Sequence, residues 1–101
     1  MDLEYLKEHM CEELSDSKEY ATKAIELKPM TATWAKTLID MANAELMHAG
    51  YLYKMFVEYY QKVKESYSEV PEYIEEMYQE TVKCYTSGYA SARYMMDMFN
   101  K

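Results

Sequence analysis

Glu45 and His48 stand three residues apart in the stretch Asp40-Met41-Ala42-Asn43-Ala44-Glu45-Leu46-Met47-His48-Ala49-Gly50. On a helix, side chains at i and i+3 point the same way, one turn apart. A carboxylate and an imidazole presented together offer one hard oxygen and one nitrogen donor. That pair suits a divalent first-row metal better than it suits nucleophilic catalysis. Glu13 is the third residue of interest, because it is the one charged member of an otherwise apolar helical stripe. No nucleophile–base pairing, phosphate-cradling loop or thiolate zinc spacing accompanies these residues, so hydrolase and nucleotide chemistry have little support.

The elements that must position them are helical. The chain has 101 residues, half of them hydrophobic, with only two glycines and two prolines. Such a composition describes a single, nearly all-helical domain over 1–101. A net charge of −7 argues against a nucleic-acid partner, which selects basic surfaces. No apolar run is long enough to span a bilayer, and the N-terminus lacks a basic-then-apolar leader. A soluble cytoplasmic protein is the expectation. Cys11 and Cys84 lie far apart and in no Cys-x-x-Cys pair, which predicts free thiols in a reduced compartment.

Three helices are expected, near 3–28, 31–66 and 70–99. Asp2 can cap the first and Pro29 stops it; Thr31 or Thr33 can cap the second. Ser68 and Pro71 mark the start of the third. Apolar residues recur at alternating steps of four and three. In the first helix the seam is Leu6, Met10, Glu13, Ser17, Tyr20, Ala24, Leu27, with Glu12, Asp16 and Glu19 off it and solvated. The second helix carries two adjacent seams. One is Trp34, Leu38, Met41, Glu45, His48, Leu52, Met55, Tyr59; the other is Ile39, Ala42, Leu46, Ala49, Tyr53, Phe56, Tyr60, Val63. Together they make a face too wide for one neighbouring helix. The third helix has no carboxylate or histidine on its seams, and offers the small residues Gly88, Ser91 and Ala92 at the level of residue 47.

A tight turn between the first two helices makes them antiparallel. Residues equidistant from Pro29 and Met30 then lie side by side. Glu13 falls level with Glu45 and His48, roughly 24 Å from the turn at 1.5 Å per residue. Carboxylates on apolar seams are costly to bury unpaired, and a divalent metal would compensate them. A Glu–His–Glu hydrogen-bond cluster is the metal-free alternative. His9, one turn before Glu12 and Glu13, reads as a surface histidine, with an outer-ligand role as the alternative. Twelve tyrosines and ten methionines fit amphipathic packing and an adaptable oligomer interface.

Glu13, Tyr20 seven residues on, and Glu45-Leu46-Met47-His48-Ala49 resemble the ferritin-like superfamily, rubrerythrin-type members in particular. The resemblance covers about residues 10 to 56. It implies a ferritin-like bundle in which Glu13 is a terminal carboxylate ligand, Glu45 bridges two metals and His48 supplies nitrogen. Tyr20 would stand just behind the ligands. Iron is the implied metal and manganese the second choice, with iron oxidation or peroxide and oxygen chemistry as the implied activity. A complete site of this kind takes two glutamates and two Glu-x-x-His pairs from four helices. This chain has one of each and no fourth helix. As in short-chain encapsulated ferritins, a homodimer about a two-fold axis through the site would complete the set. The competing expectation is a metal-free helical interaction or accessory protein, a type also found among phage-related proteins, that retains a vestigial half-site.

Overall fold

Two short breaks set the topology. Pro29 lies in the first, where the Thr31 N–H returns to the Leu27 carbonyl at 2.8 Å and the Thr31 hydroxyl accepts from the Trp34 N–H at 3.4 Å. Thr31 therefore caps the following helix, one of the two residues expected to do so. In the second break, the Pro71 carbonyl accepts from the Ile74 and Glu75 N–H groups. Proline disfavours helical backbone in the residue before it, which moves the third helix start from 70 to Glu72. The structure, a computed structural model, describes residues 3–101. Among these it has three α-helices and no strand: α1 (Leu3–Leu27), α2 (Ala32–Ser66) and α3 (Glu72–Phe99). The expected Asp2 cap lies outside the described residues. The all-α three-helix bundle with long helices is as expected.

The helices pack up-down-up into a rod about 58 × 20 × 15 Å across its Cα atoms. Most of the contact is between α1 and α2. Alanines make it close: Ala21, Ala24, Ala35, Ala42 and Ala49 are all fully buried. Ser17 is buried among them and donates to the Ala42 carbonyl at 2.7 Å, so its hydroxyl is satisfied. Met10, Leu14, Ile39, Leu46, Ala92 and Met96 complete this central cluster, and Leu3, Leu6, Phe56, Tyr60, Val63 and Ile74 form a second at the far end.

This packing corrects the seam of α1 and divides the wide face of α2. The buried line of α1 runs through Leu6, Met10, Leu14, Ser17, Ala21 and Ala24, which leaves Glu13 and Tyr20 on its flank. In α2 the Ile39–Val63 seam is the buried one. The Trp34–Tyr59 seam faces outward, with Trp34, Met41, Met55 and Tyr59 all exposed. The other two helices cover only one side of α2, and the alanine-bearing side admits α1 most closely.

Between α2 and α3 the tyrosines stack, as expected of a packing role: Tyr53 on Tyr85 at 4.1 Å and Tyr60 on Tyr78 at 3.8 Å between ring centroids. The Tyr60 hydroxyl donates to Glu75, which pushes the phenol up to about 12 and holds the Glu75 carboxyl below its ordinary value.

α1 and α3 run parallel in a constant register. Lys7 pairs with Glu80, and one turn on Cys11 is joined to Cys84, each 73 residues apart. The expectation of free thiols is therefore corrected. The two cysteines form a disulfide with Cα atoms 6.4 Å apart, because two short connections bring distant segments level. Reductant should lower the melting temperature, at a cost of about 2–4 kcal/mol, measurable by thermal melts with and without dithiothreitol. A Cys84→Ser variant should melt like the reduced protein.

The two glycines differ in what surrounds them. A Cβ on Gly88 would stand 2.8 Å from Leu14 Cδ1, whereas one on Gly50 would meet the Tyr85 hydroxyl at an ordinary 3.6 Å. Gly88→Ala should destabilise by about 1–2 kcal/mol, because crowding outweighs the helix-propensity gain. Gly50→Ala should stabilise by about 0.5–1 kcal/mol. Urea titrations of the two variants check both signs.

Candidate metal centre

Glu13 projects from the flank of α1 toward the outward seam of α2, and there it meets Glu45 and His48. His48 Nδ1 lies 3.7 Å from Glu13 Oε2 and 3.8 Å from Glu45 Oε1. One ligand atom from each of the three falls within 4.8 Å of the others. The antiparallel counting from the Pro29 turn thus leads to the residues that meet. The three are unequally exposed: the side chains of Glu13, Glu45 and His48 are 13%, 22% and 54% accessible. The expected buried layer is instead a partly exposed cluster at the edge of the α1–α2 contact. This follows from the one-position turn of the α1 face, with Leu14 rather than Glu13 pointing to the core.

Glu13 Oε2 is buried and has no hydrogen-bond partner. Buried carboxylate oxygens are rarely left in that state, because desolvation penalises the charge. Here the unpartnered oxygen faces a second carboxylate and an imidazole nitrogen, and a cation would satisfy all three. The donor set is two oxygens and one nitrogen, which fits iron, manganese or zinc and disfavours soft thiophilic ions. The cluster can coordinate a metal ion.

Tyr20 lies half-buried two turns from Glu13 and packs against the central cluster. His9 is closer to the ligands than the reading of a surface histidine suggests. Its Nε2 is 3.3 Å from Glu13 Oε1 and its Nδ1 is 3.8 Å from Glu12 Oε2. The i, i+4 spacing of His9 and Glu13 was the available signal for this contact. Comparison of the chain with protein families, with curated proteins and with solved structures finds no match.

The orphaned oxygen carries a stability consequence. In the presence of chelator, Glu13→Leu should be more stable than the unsubstituted protein by about 1–2 kcal/mol, since an apolar side chain removes the uncompensated charge. Chemical denaturation in EDTA measures this. Lower stability of Glu13→Leu would mean that the two imidazoles already compensate the carboxylate.

Proposed function

We propose that this chain is a ferritin-like protein that binds iron or manganese through Glu13, Glu45 and His48 at a site shared by two copies. The observation that carries the reading is the unpartnered Glu13 oxygen among a second carboxylate and an imidazole. Tyr20, two turns along α1 from Glu13, would take the role of an outer residue that the resemblance implies. Bound iron or manganese would supply one-electron chemistry toward oxygen or peroxide. The protein's own part is to hold three donors on two rigid helices.

The outward seam of α2 supports the second copy. Trp34 is 66% exposed, and Met41, Met55 and Tyr59 are exposed with it. The seam is palindromic about the bond between residues 46 and 47: Trp34 corresponds to Tyr59, Leu38 to Met55, Met41 to Leu52, and Glu45 to His48. A two-fold axis at that point would lay the seam antiparallel on its own copy. Each aromatic would meet an aromatic and each Glu45 would stand level with the other copy's His48. The same operation brings the second glutamate pair and the second imidazole to one place. Such an interface would cover the apolar side chains that three helices leave open.

No helix among the described residues is long and apolar enough to cross a membrane. A cytoplasmic placement belongs to the proposal, and there the Cys11–Cys84 bridge would be a redox-dependent element rather than a permanent one.

Protein purified without chelator should retain iron or manganese, and readded metal at a hundredfold its Kd should stabilise by about 2.7 kcal/mol. His48→Ala should lower metal content and abolish that increment, while Glu19→Ala should do neither. Sedimentation should give a dimer, and Trp34→Glu should shift it to monomer. Identical melting with iron, manganese and EDTA would defeat the metal reading and leave a metal-free interaction protein.

A further inference from the structure

The two oxygens of Glu13 face different imidazoles. Oε2 is directed at His48, and Oε1 at His9, at 3.7 and 3.3 Å. We propose that Glu13 is shared between two cation positions in each chain, an inner one with Glu45 and His48 and an outer one with His9. This rests on the metal-binding reading above, but not on its dimer, and it gives His9 a ligand's role.

Three features of His9 support it. Its separation from Glu13 is close to what one ion imposes, since two donors at about 2.1 Å and a right angle lie about 3 Å apart. Its ring is held in place by stacking on Tyr5, with centroids 5.6 Å apart and planes inclined by 24°. Its other nitrogen, Nδ1, faces the Glu12 carboxylate at 3.8 Å. A carboxylate behind a histidine, on the nitrogen away from the ion, is the arrangement that orients a metal-binding imidazole and fixes its tautomer. At 3.8 Å Glu12 attracts Nδ1 without hydrogen-bonding it, and a small closure of this exposed side chain would put the proton on Nδ1 and leave the Nε2 lone pair toward Glu13.

The two positions are distinct and adjacent. The compact three-residue group is Glu13, Glu45 and His48. His9 joins it only through Glu13, as a carboxylate that binds one ion through each oxygen requires. Ions held this way lie roughly 3.5–4 Å apart. The inner position has three protein ligands and should fill first. The outer has two, with water completing it, and should bind more weakly. The two imidazoles, His9 at 39% and His48 at 54% side-chain exposure, leave both positions open to ions from solution.

Manganese(II) added to the full-length protein tests the assignment, by equilibrium dialysis and by electron paramagnetic resonance on the same samples. Two ions per chain are expected, the second weaker, and its entry should change the spectrum again through coupling across Glu13. His9→Ala should keep the tight ion, lose the weak one and hold the spectrum at its one-ion-per-chain form. Because His9 is half exposed, the substitution leaves the core intact, and circular dichroism confirms folding. Glu12→Ala should keep both ions but weaken the second by about ten- to a hundredfold. One ion per chain in the unsubstituted protein, unchanged by His9→Ala, would overturn the outer position while leaving the inner site standing. No manganese binding at any concentration would overturn the metal reading itself.

Discussion

The close approach of α1 to α2 sets the register on which every other feature depends. Alanines along both helices remove the side-chain bulk that would hold them apart, and Ser17 ties the contact by bonding the Ala42 carbonyl. A contact this close has little freedom to slide or roll. With the Pro29 turn fixing the starting point, residues 13, 45 and 48 must come level. The same closeness tilts Glu13 away from the core and to the edge of the contact. A bulkier seam would have spread the helices and hydrated the carboxylate fully. The tension at Glu13 is thus a product of good packing beneath it.

That tension is informative because folding alone gives no reason for it. An apolar residue at position 13 would widen the buried line of Met10, Leu14 and Ala21 onto its flank. Instead there is a carboxylate with one oxygen unpaired beside His48 and Glu45 and the other turned to His9. Local stability is forgone at a point where oxygen and nitrogen donors converge. Such departures from the most stable choice concentrate where a protein binds something.

Helix extent and the level of the three donors were legible in the sequence, because both depend on counting: proline and threonine mark the ends, and 1.5 Å per residue sets the height. Rotation about the helix axis was harder to read. Glu13 and Leu14 differ by one position, and a stripe with steps of three and four tolerates either as its centre. Which of two apolar seams on α2 would be buried also depended on side-chain size, with alanine winning over tryptophan and methionine. The Cys11–Cys84 pairing was hidden because neither residue is near the other in sequence. Only the parallel register of α1 and α3, repeated at Lys7 and Glu80, brings them together.

That disulfide also changes the connectivity of the chain. It closes a covalent ring from residue 11 to residue 84 that contains both interhelical breaks and the whole of α2. Glu13, Glu45 and His48 lie on the ring, and His9 lies on the free arm outside it. A peptide bond cut in either break would open the ring without dividing the molecule. α1 would stay joined to α3 through sulfur, and the donors on α1 and α2 would keep a covalent route between them. Oxidised, the bundle is thus a closed circuit with two tails; reduced, it is a linear chain that a single cut can separate.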